Sequence, residues 1–290
     1  MGMDIHAECV PCLLKRVVFQ AGLACNGSEL KAAESAMKAM SGTISEGARS
    51  VDVSTAVHSA AYAAMGVEDP YLGLKVRADE VAEGLLPVVE RMVSESDDPL
   101  KAAFLVAVVG NIMDFGMGKA IDDPEEFVSV VDDMLAQGID EGEFEKVRVS
   151  IQSAPGVVYM FDNCGESQFD KVLIRQLRSM GKRVVGVVRG KPILNDVTMD
   201  DAIRIGLDRE LDAVLTTGKF FIGIDWKDVP DELMDEIRSC GIIVAKGMAN
   251  FEASFREDVP VPLVHVMRSK CRPVADSMGV PLGMNIVRLA

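Results

Sequence analysis

The second half of this chain alternates short apolar runs with segments of helical periodicity, and this alternation restricts the possible folds more than any other feature of the sequence. Runs of apolar, mostly β-branched residues bounded by turn residues are typical of buried strands. Strands that alternate with helices predict a parallel sheet covered by helices on both faces. The predicted strands cover residues 157–161, 184–188, 213–215, 242–245 and 263–267.

The remaining segments have the spacing of helices. After the first strand, helices are predicted at residues 167–180, 198–208, 230–240, 250–257 and 271–278. Residues 1–150 are rich in Ala, Leu, Met, Lys and Glu, with apolar residues three and four positions apart, which indicates a helical region. We therefore predict an α/β fold: a doubly wound, mostly parallel, three-layer sheet domain at 151–290, preceded by an all-helical N-terminal region at 1–150. Turn residues near 95–100 could divide that region in two.

The composition argues against several classes of function. The 290 residues carry a formal net charge of −15, which disfavours broad contact with nucleic acid or anionic lipid, because both select basic surfaces. The longest apolar stretch, 102–109, is too short to cross a bilayer, and the start does not resemble a signal peptide. Six cysteines are too sparse for a disulfide scaffold. We therefore expect a cytoplasmic protein with mostly reduced thiols. Because the net charge is negative, an anionic substrate would need a binding site that is locally positive.

Polar side chains follow the predicted strands. Asp162 and Asn163 come after the first strand, Asn195 and Asp196 follow the second, and Lys246 ends the fourth. The carboxyl ends of parallel strands meet at one edge, where ligands bind. Hard oxygen donors at that edge predict a divalent cation held by Asp162, Asn163 and Asp196, with Lys246 facing an anionic group. The alternative is that Asp and Asn only cap helices or form turns; two pairs and a Lys on one edge favour the metal site.

Three of the residues that follow Asp162 in the sequence each have two competing interpretations. Glu166 and Asp170 fall in the first turns of the next helix, where a carboxylate complements the helix dipole, or they orient the substrate or the metal ligands. Cys164 lies near a helix N-terminus, which could lower the pKa of its thiol, but a packing role is preferred because no His is close in sequence. A Cys-His or Ser-His mechanism is therefore disfavoured.

Two further motifs lie in the helical region. His6, Cys9 and Cys12 have metal-ligand spacing, and a distant cysteine such as Cys25 or Cys271 could complete a zinc site; plain buried thiols on an amphipathic helix are the preferred interpretation. Asn111 and Asp114 are three residues apart on one helical face. They could serve as caps or reach the metal edge. The sequence has no GxxxxGK[ST] phosphate loop and no GxGxxG fingerprint, so it does not predict a P-loop NTPase or a dinucleotide enzyme.

Taken together, five segments resemble the metal-dependent damage-control phosphatases, the ARMT-like family also called domain of unknown function 89. The segments are HAECVPC (6–12), GNIMDF (110–115), DNCGE (162–166), KPILNDVT (191–198) and KGMANFE (246–252). The cysteine-bearing start is similar to the stand-alone microbial branch of that family. The resemblance implies a helical region over an α/β domain. It also implies a phosphatase of small phosphorylated metabolites, sugar phosphates foremost, that uses manganese, cobalt, nickel or magnesium.

The resemblance also implies roles for individual residues. It assigns metal ligation to Asp162, Asn163 and Asp196, and phosphate contact to Lys246, with other polar residues nearby. We predict catalytic roles for Asp162, Asp196 and Lys246. The predicted substrate-binding residues are Asn195, Glu166, Asn250, Lys246, Thr216, Asn111 and Asp114.

The preferred hypothesis is that metal-activated water hydrolyses a phosphomonoester while Lys246 neutralises phosphate charge. An aspartyl-phosphate on Asp162 is the alternative, because Asp162, Thr216 and Lys246 follow the order of haloacid-dehalogenase phosphatases, although the DxD pattern of those enzymes is absent. A rival from another class is a non-enzymatic metal- or ligand-binding module whose cysteine-rich start recruits a partner. A methyltransferase-like activity ranks last, because no Gly-rich loop follows the first strand.

Overall fold

The structure of the protein, a computed structural model, describes residues 2–110, 133 and 136–290. The described helices are numbered here in chain order. They are α1 (Cys9–Leu23), α2 (Glu29–Thr43), α3 (Ser50–Met65), α4 (Leu72–Ser94), α5 (Pro99–Gly110), α6 (Glu141–Ser153), α7 (Glu166–Ser179), α8 (Met199–Arg204), α9 (Leu207–Glu210), α10 (Asp231–Cys240), α11 (Gly247–Ser254) and α12 (Arg272–Met278). The strands are β1 (Gly156–Met160), β2 (Arg183–Val188), β3 (Ala213–Thr216), β4 (Ile243–Lys246), β5 (Leu263–Arg268) and β6 (Asn285–Leu289).

The strands form one sheet in the order β3-β2-β1-β4-β5-β6. The first five strands are parallel, and β6 runs antiparallel to β5. In the centre, Val158 of β1 lies between Val185 of β2 and Ile243 of β4. The prediction of an α/β fold with a mostly parallel sheet and an N-terminal helical region is confirmed.

The direction of strand succession reverses between β1 and β4. From β1 the chain moves outward through β2 to β3, and it then returns to place β4 on the other side of β1. At such a switch point the loops after the two neighbouring strands diverge and leave a crevice at the carboxyl edge. The loop after β1 and the start of α11 after β4 border this crevice.

Apolar clusters cover both faces of the sheet. On one face, Phe104 of α5, Phe144 of α6 and Leu173 of α7 belong to the same buried cluster as Tyr159 of β1. On the other face, Ile237 of α10 belongs to a second cluster that contains residues of β1, β2 and β4. Helices α1 to α3 share a third cluster. The first cluster combines residues from both sides of position 150, and a domain boundary there stays a prediction.

The largest departures from the sequence-based elements concern three segments. The predicted helix at 198–208 is two short helices, separated at Gly206, which has a positive φ of 75°. The helix predicted at 250–257 begins earlier, at Gly247, and ends at Ser254. Strand β6 was not predicted, because its run Asn285–Leu289 is only five residues long and has neither a continuous apolar run nor a regular alternation of apolar and polar residues. Within the described residues, no helix combines the length and the apolar character needed to span a bilayer.

Candidate active site

Backbone hydrogen bonds join the two loops that follow β1 and β2. The N–H of Val197 donates to the carbonyl oxygen of Asp162 (2.8 Å), and the N–H of Cys164 donates to that of Asn195 (2.8 Å). The two loops thereby form a short antiparallel bridge at residues 163 and 196. We call this pairing the loop bridge. It brings together the four polar residues that the sequence analysis placed at these two strand ends.

The buried guanidinium of Arg189 connects the two aspartates. Its Nε lies 2.5 Å from Oδ2 of Asp196, and its Nη2 lies 3.5 Å from Oδ1 of Asp162. Its Nη1 donates to Oδ1 of Asn250 (2.9 Å) and to the carbonyl oxygen of Gly223 (3.0 Å). Arg189 was missed by the sequence analysis. Its position directly after the buried run that ends at residue 188 was the available signal, since a cation there must reach a carboxylate.

A cavity of about 520 Å³ opens over the loop bridge. Its sheet side includes Asp162, Asn163, Asn195 and Asp196. Its other walls come from α1, α3, the start of α11 and the segment after β5. Those residues include Cys9, Cys12, Arg16, Ser54, His58, Met248, Glu252, Lys270, Cys271 and Arg272. A volume of this size suits a small metabolite.

The cavity holds more negative charge than Arg189 neutralises. Burial raises the pKa of Asp162 well above its ordinary value, the carboxylates of Asp196 and Glu166 raise it further, and Arg189 and Lys270 oppose the rise. Burial also raises the pKa of Asp196, again against the opposing charge of Arg189. Two buried carboxylates therefore share one guanidinium, and an additional positive charge would stabilise both.

The predicted metal ligands fit a divalent cation by their chemistry. Asp162, Asn163 and Asp196 supply hard oxygen donors on one wall of the cavity, with excess negative charge. The side-chain Nδ2 of Asn163 donates to Oδ2 of Asp162 (2.9 Å), so the amide oxygen is the atom left for a cation. Across residues 2–110, 133 and 136–290, no three His, Cys, Asp or Glu side chains are grouped as a metal site. The predicted set has two carboxylates and one amide.

Gly247 permits the close approach of α11 to Asp162. A Cβ at position 247 would lie 1.8 Å from Oδ2 of Asp162, and the φ of Gly247 is +74°. Both the space and the backbone conformation therefore require glycine. The carboxylate of Asp162 therefore lies directly against the start of α11.

Lys246 is fully buried behind the loop bridge. Its Nζ lies 2.7 Å from Oδ1 of Asp170 and 3.5 Å from Oε1 of Glu166, and the hydroxyl of Tyr159 also donates to Asp170 (2.8 Å). Burial lowers the pKa of Lys246, but Asp170 and Glu166 more than offset this and raise it above its ordinary value. Burial raises the pKa of Asp170 to about 6, against the charge of Lys246. We call Tyr159, Glu166, Asp170 and Lys246 the buried lysine cluster.

The other predicted substrate-binding residues lie in different places. Asn250 is buried and donates to the backbone oxygens of Phe161 (3.1 Å) and Lys246 (2.7 Å). Thr216 ends β3, and its Oγ1 accepts from the N–H of Gly218 (3.2 Å). Neither is among the described residues that line the cavity. The predicted residues Asn111 and Asp114 lie outside the described residues.

The helical region reaches the second loop through Tyr62 of α3. Its hydroxyl accepts from the N–H of Leu194 (2.9 Å), the residue directly before Asn195. Leu194 has a φ of +51°, a left-handed conformation that is costly for a branched residue. The contact therefore helps to hold a strained backbone turn beside the loop bridge.

All six cysteines are free thiols. Cys164 is buried, and burial raises its pKa well above the ordinary value, which agrees with packing and not with an activated thiol. Cys9, Cys12 and Cys271 line the cavity. Cys12 is exposed, so the interpretation of the CxxC pair as plain buried thiols is wrong for that residue.

The fold and the site define an α/β protein with a crevice at the carboxyl ends of its central strands, where aspartate and asparagine side chains face a cavity. Comparison with known proteins identifies the family. The chain belongs to the damage-control phosphatases: the family described as Damage-control phosphatase ARMT1-like domain matches residues 5–286. Membership of this family confirms the resemblance and supports a phosphatase role.

Relatives match the chain over nearly its whole length. A damage-control phosphatase of Archaeoglobus fulgidus is 34% identical over 289 residues, which cover 99% of both chains. The damage-control phosphatase PH1575 of Pyrococcus horikoshii is 27% identical over 285 residues, which cover 97% of this chain and 96% of that protein. The crystal structure of PH1575, described as a DUF89 family protein, superimposes with a TM-score of 0.87 at 26% identity and 99% coverage of both chains.

Proposed function

We propose that the protein is a metal-dependent phosphatase that hydrolyses phosphomonoesters of small metabolites. The observation that carries the proposal is the loop bridge, because it places Asp162, Asn163, Asn195 and Asp196 on one wall of a metabolite-sized cavity. The names of the relatives support phosphatase chemistry and small phosphorylated substrates. Sugar phosphates are the first class to examine.

In this proposal Asp162, Asn163 and Asp196 bind manganese, cobalt, nickel or magnesium. A divalent ion at such a site stabilises phosphoryl charge and lowers the pKa of water bound to it. Arg189 orients both carboxylates through its contacts with Asp162 and Asp196. In the reaction, the oxygen of a water molecule attacks phosphorus, the ester P–O bond breaks, and the leaving oxygen takes up a proton.

Asn195 is the proposed donor to a phosphate oxygen. Its side chain is buried, and within the described part of the chain its Nδ2 has no hydrogen-bond partner. A buried donor without a partner is costly, and a substrate oxygen in the adjacent cavity would satisfy it. Lys246 is fully buried and is not among the described residues that line the cavity, so a direct phosphate contact would require its side chain to move.

A screen of phosphorylated metabolites tests the proposal. The purified protein, treated with a chelator and then supplied with each of the four metals, should release inorganic phosphate from at least one sugar phosphate. Asp162→Asn should lower kcat/KM about a thousandfold, equivalent to about 4 kcal/mol of transition-state stabilisation. Asp208→Asn, which alters an exposed aspartate, is the matched control and should retain full activity.

Two outcomes would contradict the proposal. Absence of phosphate release with every metal would favour a ligand-binding module without catalysis. A phosphoryl group found on Asp162 by mass spectrometry of an acid-quenched single turnover would instead favour the aspartyl-phosphate route.

A further inference from the structure

Three cationic side chains line the same cavity as the predicted site residues: Arg16 of α1, and Lys270 and Arg272 after β5. Arg16 and Lys270 are half-buried, whereas Arg272 is exposed. The backbone N–H of Lys270 donates to Sδ of Met248 (3.4 Å), which holds the segment after β5 against the start of α11. Solvent screens exposed charges more strongly than partly buried ones. Arg16 and Lys270 should therefore attract an anion in the cavity more strongly than the exposed Arg272 does.

Within the described residues, neither Arg16 nor Lys270 forms an ion pair or a side-chain hydrogen bond. Lys270 acts on Asp162 through its charge alone, which opposes the rise in the pKa of that carboxyl. Three buried cations closer to the sheet are paired with carboxylates: Arg189 with Asp196, Lys246 with Asp170, and Lys75 with Asp201. In a chain with a net charge of −15, two cations without an ion pair in one cavity point to an anionic ligand.

The acidic residues of the cavity do not cancel these cations. Glu252 accepts a hydrogen bond from the hydroxyl of Ser50 (2.7 Å) and, within the described residues, forms no ion pair with Arg16 or Lys270. Glu8 is exposed, so solvent weakens its field. Asp162 and Asp196 share Arg189, and the divalent cation of the proposed function would take up the negative charge that Arg189 leaves over.

We propose that Arg16 and Lys270 form a second anion-binding site, and that the substrate is a small phosphorylated metabolite with a second anionic group, either a carboxylate or another phosphate. This inference rests on the proposed phosphatase function. The phosphate to be cleaved lies at the loop bridge, and the second anionic group contacts Arg16 and Lys270. The cavity of about 520 Å³ accommodates both groups of a sugar-sized molecule.

A selectivity experiment tests the second site. The values of kcat/KM are measured for glucose 6-phosphate, 6-phosphogluconate and fructose 1,6-bisphosphate with the native protein and with Arg16→Gln and Lys270→Gln. The native protein should have a higher kcat/KM for a doubly anionic compound than for glucose 6-phosphate. Each variant should lower the ratio of these two values about tenfold, because it loses one charge-assisted contact with the second anionic group. The two doubly anionic compounds distinguish a carboxylate from a second phosphate.

The matched control is Lys15→Gln, which removes an exposed cation from the same helix but outside the cavity lining. It should change neither activity nor selectivity. Thermal unfolding of each variant shows whether the fold is retained. If hydrolysis persists while Arg16→Gln and Lys270→Gln leave the preference unchanged, the second site is wrong and the phosphatase proposal stands.

Binding gives a readout that does not need turnover. Calorimetric titration of 6-phosphogluconate and of fructose 1,6-bisphosphate into the chelator-treated protein, which is not expected to hydrolyse them, should show about tenfold weaker binding of one of them to each variant than to the native protein. Such a loss, together with no phosphate release by the metal-loaded native protein, would support the anion site while contradicting the phosphatase proposal. Equal affinities for the native protein and both variants would overturn the second site directly.

Discussion

At the scale of single residues, Gly247 and Arg189 decide how the two aspartates are held. Gly247 leaves room for the carboxylate of Asp162, and Arg189 joins that carboxylate to Asp196. Asp162, Asn163, Asn195 and Asp196 were predictable, because strand-end oxygen donors have a pattern in sequence. Arg189 was not, because its role depends on which carboxylates the folded loops place beside it.

The steric restriction at position 247 gives a prediction about stability and activity. Gly247→Ala should lower the free energy of unfolding by about 2–4 kcal/mol and reduce phosphatase activity at least about a hundredfold, because the methyl group would displace the Asp162 carboxylate. Urea denaturation and phosphate release measure the two effects.

Gly66→Ala is the control: Gly66 has a similar φ of +68°, but a Cβ there would meet open space. Its cost should stay near 1 kcal/mol, with activity unchanged. Comparable losses of activity in both variants would contradict the steric argument.

At the scale of elements, the buried lysine cluster links β1, β4 and α7. Tyr159 comes from β1, Lys246 from β4, and Glu166 and Asp170 from α7. The sequence indicated the elements themselves, since apolar runs and helical spacing are local. It did not indicate that Lys246 points at Asp170, because that contact depends on how α7 lies across the sheet. Strand β6, an edge strand antiparallel to β5, was missed because its short run lacks the continuous apolar character of the parallel strands.

A double-mutant cycle tests the cluster. Asp170→Asn should lower the free energy of unfolding by about 3–5 kcal/mol, because it removes the closest partner of a buried ammonium group. Lys246→Met alone should also destabilise the protein. The double variant Asp170→Asn with Lys246→Met should recover part of the loss, since no buried ammonium group is then left without this partner.

The same cycle separates a structural role of Lys246 from a phosphate contact. If Lys246 binds phosphate, the double variant should regain stability but not activity, and KM should stay raised. Recovery of both would make Lys246 a residue of the fold alone. Additive losses of stability, measured by urea denaturation, would show that the two charges do not interact.

At the scale of the whole molecule, the strand order determines which loops meet. The sequence predicted parallel strands and their carboxyl-end residues, but the order β3-β2-β1-β4-β5-β6 follows from the packing of helices on both faces. Local patterns do not encode that packing. The contact of Tyr62 with Leu194 was equally hidden, since it joins residues that are far apart in the chain.

Two buried histidines predict how the stability of the whole molecule depends on pH. Burial lowers the pKa of His58 to about 3 and of His265 to about 4, each with a smaller contribution from an arginine. Their pKa in the unfolded chain is about 6.5. Below that value the unfolded chain binds protons that the folded protein does not, so the stability that the two histidines contribute is complete above pH 6.5 and falls as the pH decreases towards 4. Carboxyl groups with a raised pKa, such as Asp162 and Asp170, act in the opposite direction.

Urea denaturation at pH 7.5 and pH 5 measures this effect. Each histidine should contribute about 2 kcal/mol to the loss of stability between the two values. His58→Gln, in which an amide can still face Gln20, should remove about half of the histidine contribution. His6→Gln changes an exposed histidine and should leave the pH dependence as it is. An unchanged pH dependence in His58→Gln would contradict the assignment of a neutral imidazole at position 58.

The loop bridge has a thermodynamic consequence for ligand affinity. Because residues 163 and 196 are already paired through their backbones, a cation arriving there would not have to immobilise two independent segments of chain. The entropic penalty of ordering them, about 1–2 kcal/mol per residue, is met when the polypeptide folds and not when the ion binds. The binding free energy of the ion is then reduced less by the ordering of the chain, so the attraction between the carboxylates and the ion gives a higher affinity.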